Sequence, residues 1–388
     1  MVIFLATTLN LDFIYLFFNI SLLIFFIIGG YNVSRGASYW KNAFFCTFFF
    51  VLIMGSRYNR GNDYAHYVDV YVHGEQQNQL LFWSLNYLLR DIFGVGKSLI
   101  FYIYAIPFIL SAFKFLEHFK KNAKYTFPLF LIAMTYFEEY EIRQALGFTF
   151  VFLFLSEFIS TKHILKRKFA YCSFFAICTL MVHSANILFL IVFLCFYYTL
   201  NKVISYKVSI ALLLFSTYAF VKLYDISYLM PVLHLLGSTN EKFAQYTEGN
   251  AAEAWFGESA YQLDNARNPV IQLMEIIGNA SLFYFSSKLS YFNLNSTKRN
   301  IGVFTNIYIV GECGKQAFVY LEIMSRMSGM LQRMWFIPMT FVLTEIKFMK
   351  LKWYEKFMYI SMFFIFYDYA KYLLFPEARM TMFLWDKV

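Results

Sequence analysis

The sequence predicts an all-α polytopic membrane protein of about 12 transmembrane helices, with one large outer loop and an interfacial helix. Three observations carry this. Of 388 residues, 60% are hydrophobic and 22% aromatic, and the mean hydropathy is +0.51, more apolar surface than a water-soluble core hides. The apolar runs are long and unbroken, so their backbone groups bond within the segment, as helices do in lipid. Finally, Lys and Arg fall in short clusters between those runs, as expected of loops that set orientation.

In chain order the spans are expected near residues 12–29, 41–56, 98–116, 126–138, 142–160, 169–183, 184–200, 207–223, 269–287, 301–320, 330–346 and 357–375. All belong to a single integral domain, 1–388. Met1 to Asp12 contains no Lys or Arg, so the first run reads as a retained span rather than a cleaved leader. Residues 56–97 form a loop region. Within it 79–93 (QLLFWSLNYLLRDIF) is apolar at helical spacing, with Asn86, Arg90 and Asp91 as polar breaks, which suits a helix in the membrane interface. Residues 224–268 form the large loop, long enough to hold short helices and to act as a lid or sugar-binding element.

Charge orients these spans. Lys120, Lys121 and Lys124 form one cluster, and Lys162, Lys166, Arg167 and Lys168 another. Lys288, Lys298 and Arg299 form a third, and Lys347, Lys350, Lys352 and Lys356 a fourth. With alternating spans all four fall on one side, which is the cytoplasm, and Arg35, Lys41, Lys202 and Lys207 agree. The opposite loops are poor in Lys and Arg, and both termini are expected outside. Basic residues distributed this way are a topology signal, so the formal charge of +9 does not imply nucleic acid. The five cysteines lie within apolar runs and show no metal-ligand spacing, so they read as buried small hydrophobes rather than disulfides or metal ligands.

The outer face carries the candidate chemistry. Gly55-Ser56-Arg57-Tyr58-Asn59-Arg60-Gly61-Asn62-Asp63-Tyr64, followed by Tyr67 and Tyr71, sits at the mouth of the second span. Charges there are costly unless they face a site, and the planar fork of arginine suits phosphate. Glu139, Glu141, Arg143 and Gln144 lie at the junction of the fourth and fifth spans, and His183 at the turn between the sixth and seventh. Arg326 and Arg333, seven apart, share one helical face before the eleventh span. Arg57, Arg60, Arg143, Arg326 and Arg333 are candidate ligands of an anionic headgroup, with Gln144, and Tyr64 and Tyr67 could stack on sugar. Single arginines at span ends also snorkel to lipid headgroups, and the tyrosines also suit an interfacial aromatic belt.

No GxxxxGK[ST], GxSxG, HExxH or DxD pattern occurs. Neither a nucleotide nor a metal is therefore expected, and no cofactor. An activated substrate would most simply arrive already attached to lipid.

These segments resemble one family. The run RYNRGNDYAHYVDVY is similar to the Arg-Gly-Asp-Tyr loop of the EpsG-type and Wzy-type polysaccharide polymerases, and Ile142-Arg143-Gln144 resembles that family's span start. The basic loop from Lys166, a short span and the turn His183-Ser184-Ala185 resemble its next element. Arg326 with Ile337-Pro338 resembles the late one, although Gly329-Met330 replaces the usual aromatic pair. The resemblance runs from about residue 40 to 345. It implies a multi-pass protein of the bacterial inner membrane with its site in the periplasm, which makes 56–97 and 224–268 periplasmic loops. It also implies an O-antigen or exopolysaccharide polymerase that moves a glycan from undecaprenyl pyrophosphate to the non-reducing end of a lipid-linked repeat unit. The implied partners are that lipid-linked oligosaccharide, the bilayer and a chain-length regulator.

For such a transfer, arginines would stabilise charge on the departing pyrophosphate without a metal. Asp63 is the first candidate for general base, with Glu139 and Glu141 as alternates and His183 behind them. A flippase of lipid-linked oligosaccharide is the rival reading. It would predict two symmetric halves with charges near the midplane.

Overall fold

The structure is a computed structural model that describes residues 2–58, 64–74, 79–160, 164–199, 202–220, 268–290, 296–319, 322–374 and 382–383. Arg60, Asp63 and nearly all of the expected large loop lie outside the described residues. Helix dominates what is described, and the described parts of the expected spans are largely helical. Among the described residues three helices are long and apolar enough to cross a membrane: Phe13–Ser34, Ile100–Tyr140 and Ile142–Ile159. Tyr39–Gly55, Ser184–Thr199 and Tyr206–Phe220 are shorter apolar helices. The chain divides into two compact units: Met1–Leu194 with Met339–Glu345 and Phe366–Val388, and Cys195–Pro338 with Ile346–Ile365.

The first unit opens with α1 (Val2–Ser34) and α2 (Tyr39–Gly55). α1 buries Tyr15, Asn19, Leu22, Phe26 and Val33, one stripe at intervals of three, four or seven residues. Its other face exposes Phe13, Phe17, Ile20, Ile24, Ile27 and Ile28. A helix apolar inside and outside is one that meets lipid on its outer face.

After β1 (Arg57–Tyr58) come α3 (Tyr64–His73) and α4 (Leu80–Tyr87), which runs into a π-helical turn at Leu88–Ile92. The expected interfacial segment is thus helical. It buries Phe82, Asn86 and Leu89, three and four apart, and leaves Leu80, Tyr87, Leu88, Ile92 and Phe93 exposed. α5 (Ile100–Leu116) continues through the turn Glu117–Asn122 into α6 (Ala123–Tyr140). Non-helical Phe119 (φ −111°, ψ 16°) breaks the run, so these 41 helical residues serve as two rods.

A single residue, Glu141 (φ −118°, ψ 53°), separates α6 from α7 (Ile142–Ile159). α8 (Leu165–Val182), the 3₁₀ turn Ser184–Asn186 and α9 (Ile187–Thr199) follow. α1 and α6 run antiparallel. Lys124 N–H meets Ser34 Oγ at one end of α1 and α6, while Tyr15 reaches Glu139 toward the other. At the start of α7 Gln144 meets Asn186 just past the end of α8, while Ser156 near the end of α7 meets the Lys114 carbonyl near the end of α5, so α7 runs antiparallel to α8 and parallel to α5. The basic clusters of this unit therefore gather at one end, and Arg57, Glu138 to Gln144 and His183 at the opposite end.

The second unit holds α10 (Tyr206–Leu214) with a π-helical extension Phe215–Phe220, then α11 (Pro269–Ser290), α12 (Ser296–Ala317) and α13 (Glu322–Gln332). The turn Arg333–Trp335 leads to α14 (Phe336–Glu345), most of which belongs to the first unit, and α15 (Trp353–Ser361) lies in the second. A Cβ at Gly311 would stand 2.2 Å from the backbone nitrogen of Gln332, so only glycine lets α12 and α13 approach this closely. Two basic clusters meet here. Lys288 at the end of α11 pairs with Glu355, which also accepts from Tyr284 Oη (2.9 Å) and from the Lys352 N–H (3.0 Å). Beyond α15, α16 (Tyr367–Leu374) and β2 (Met382–Phe383) belong to the first unit, and β2 pairs antiparallel with β1.

Candidate active site

Three of the segments singled out in the sequence meet at one end of the first unit. The last turn of α6 is the anchor. Four carbonyls at a helix end have no partner within the helix, and a buried end needs donors from elsewhere. Arg57 supplies them: Nη1 donates to the carbonyls of Glu138 (3.1 Å) and Glu139 (3.2 Å), and Nη2 to Glu138 Oε1 (2.6 Å). Arg57 is fully buried, and its guanidinium lies 5.1 Å above the Phe101 ring, which in turn stacks on Tyr64 at 4.6 Å. The sequence made this arginine a candidate phosphate ligand. The structure gives its fork a carboxylate and two carbonyls of its own chain instead.

Arg143 is differently placed. It stands in the first turn of α7, half-buried, with Nη1 donating to Gln79 Oε1 (3.0 Å). Its guanidinium lies 5.9 Å from the Tyr67 ring centroid and 6.0 Å from that of Phe82, at the outer limit of cation–π attraction. Tyr67 and Phe82 pack edge to face at 5.6 Å. Tyr64, stacked on the Phe101 ring that underlies Arg57, and Tyr67, beside Arg143, are both buried. A guanidinium beside the first amides of a helix is a setting suited to an anion.

The acids separate by environment. Glu139 is fully buried, and its Oε2 accepts from Tyr372 Oη and from Tyr15 Oη (3.4 Å). Glu141, at the break between α6 and α7, is half-buried.

The His183 turn packs against the start of α7. Asn186 is fully buried and donates from Nδ2 to the carbonyl of Gln144 (2.8 Å). A Cβ at Gly147 would stand 2.5 Å from that Nδ2 and 3.1 Å from His183 Cβ, so glycine is what allows this approach. His183 is half-buried, and its extended backbone (φ −154°, ψ 101°) ends α8. Arg326, exposed on α13, and half-buried Arg333 in the turn after it belong to the second unit.

Glu138, Gln79, Asn186 and Gly147 join the site without having been assigned to it. Glu138, Asn186 and Gly147 are neighbours of residues already chosen, whereas nothing in the spacing of Gln79 marks it. Among the described residues no three His, Cys, Asp or Glu side chains gather as metal ligands do.

Fold and site together define a polytopic helical membrane protein with arginines and carboxylates concentrated at one end of a helical unit. The chain matches the EpsG family over residues 40–378 and belongs to that family. Membership supports a function of the polysaccharide-polymerase type, exercised in a membrane. No curated protein and no solved structure matches the chain.

Proposed function

We propose that the protein is a glycosyltransferase that polymerises a bacterial surface polysaccharide, O-antigen or exopolysaccharide, at the periplasmic face of the inner membrane. A glycan carried on undecaprenyl pyrophosphate is moved to the non-reducing end of a lipid-linked repeat unit. The observation that carries this reading is the meeting of the Arg57 segment, the Glu138–Gln144 junction and the His183–Asn186 turn at one end of the unit, opposite its basic end. The positive-inside tendency puts the basic end in the cytoplasm and this site outside.

In the reaction the bond from the anomeric carbon to the pyrophosphate oxygen breaks, and the acceptor hydroxyl oxygen bonds to that carbon. The electron pair leaves with pyrophosphate, and the hydroxyl proton goes to a base. Arg143, with the first amides of α7, stabilises the charge growing on the leaving group. Arg60 assists it, and Gln144 lies beside it in the same turn. Asp63 takes the proton, with Glu141 and then His183 as the next bases to test. Arg57 fixes the end of α6 rather than touching phosphate, and Glu139 is structural. Arg326 and Arg333 are candidate phosphate ligands of the second unit in its own right. No metal is required, and a separate chain-length regulator would set polymer size.

Deleting the gene and resolving the surface polysaccharide on a gel tests the reading. Loss of the ladder with a retained one-unit band is expected. Loss of both would favour a flippase, and an intact ladder would end the proposal.

A further inference from the structure

The last turn of α6 is held from two sides. Arg57 takes Glu138 and the two end carbonyls, while Glu139 points elsewhere, to Tyr15 of α1 and Tyr372 of α16. Tyr372 lies 233 residues along the chain from Glu139. Its ring packs edge to face on Tyr15 at 5.7 Å and on Tyr140 at 6.5 Å, with Tyr369 at 6.2 Å. A few residues later, β2 pairs with β1 so that Phe383 stands opposite Arg57 and Met382 opposite Tyr58. One late segment therefore engages both devices that hold the end of α6. The proposed chemistry uses neither Tyr372 nor β2.

We infer that Tyr372 is a positioning residue for the transfer, and that α16 and β2 form a clasp that sets the α6–α7 junction and, through it, Arg143. This rests on the polymerase reading of Arg143. A buried carboxylate depends on its hydroxyl donors, and losing one leaves it under-satisfied. Glu141 is the sole residue between the two helices, so a shift in the last turn of α6 passes directly to the first turn of α7. Misplacing a charge-stabilising group by about 1 Å lowers turnover by up to about 10²-fold.

The test is Tyr372→Phe in the full-length protein in liposomes. This variant deletes one oxygen and keeps the ring contacts. With lipid-linked repeat units, kcat should fall by about tenfold or more while KM changes less than about twofold. The penalty of Arg143→Lys should shrink in the Tyr372→Phe background, because a group already displaced has less to lose. Amide hydrogen exchange across 137–144 should quicken, with the melting temperature near that of the wild type. Unchanged turnover in an active preparation would overturn the inference. So would penalties that simply add, or unchanged exchange in that segment. If the wild type itself builds no polymer from these substrates, the polymerase reading fails, and the exchange measurement still decides whether Tyr372 holds the junction.

Discussion

Arg57 and Glu138 form a buried ion pair, Nη2 to Oε1 at 2.6 Å, and the same guanidinium closes the end of α6. A charge removed from water this completely is stable only with its partner in place. Arg57→Ala should therefore destabilise the protein by about 3–5 kcal/mol. Arg57→Lys should also lose activity, since one ammonium cannot reach a carboxylate and two carbonyls together. The double change Arg57→Met with Glu138→Leu should recover most of the stability. Thermal unfolding in detergent reads all three, and a Lys variant with wild-type melting and a normal ladder would refute the capping role.

Arg143 should behave otherwise. Arg143→Lys is expected to lower kcat by about 10²–10³-fold, the scale of losing one preorganised charge-stabilising donor, with little change in melting temperature. Gln79→Ala, which removes a neutral acceptor from Arg143, should lower turnover by about tenfold at most. Steady-state kinetics on lipid-linked repeat units would distinguish them. Equal losses, or a loss explained by unfolding, would count against Arg143 as the phosphate ligand.

Gly147 should tolerate no side chain. An added methyl would push into Asn186 Nδ2 at 2.5 Å and part α7 from the His183 turn. Gly147→Ala should destabilise by about 1–3 kcal/mol, the usual penalty for overpacking a filled site. Asn186→Ala, which strips the Gln144 carbonyl of its donor, should cost about 1 kcal/mol or more. A Gly147→Ala protein as stable and active as the wild type would show that the two elements need not touch so closely.

The Lys288–Glu355 contact gives a pH signature. Hydrogen bonding from Lys288, then from the Lys352 N–H, lowers the Glu355 carboxyl from 4.5 to about 2. A depressed folded-state pKa stabilises above the unfolded value and is lost as pH falls through the folded one. The wild-type advantage in melting temperature over Glu355→Gln should be constant above about pH 5, shrink below 4.5 and vanish near 2. An advantage that persists at the acid end would contradict the contact.

Orientation is tested by single cysteines in a background lacking the five native ones, since Cys195 is exposed. Labels at Ser160 and Ser296 should be shielded from an impermeant reagent in intact cells, and one at Asn250 should react. Labelling at Ser160 from outside would invert the protein and move the proposed site to the cytoplasm.

The sequence alone determined where most of the apolar helices lie and which segments are candidates for chemistry. Apolar runs must become helix in lipid, and a helix needs no distant partner to close its hydrogen bonds, so 142–160 is legible and its observed bounds are Ile142–Ile159. The Arg57 loop, the Arg143 span start and the His183 turn stood out for the same local reason: charge and polarity next to an apolar run. Only the tertiary structure decided what each charge does. Arg57 and Arg143 look alike in sequence, yet one is buried on Glu138 and the other half-exposed beside Gln79, because a guanidinium takes whichever acceptors the packing brings within about 3 Å. Glu139 and Glu141 likewise differ by two positions in the chain and by an entire environment. Tyr372 could not have been found by spacing, since its meeting with Glu139 spans 233 residues and follows from how α1, α6 and α16 pack.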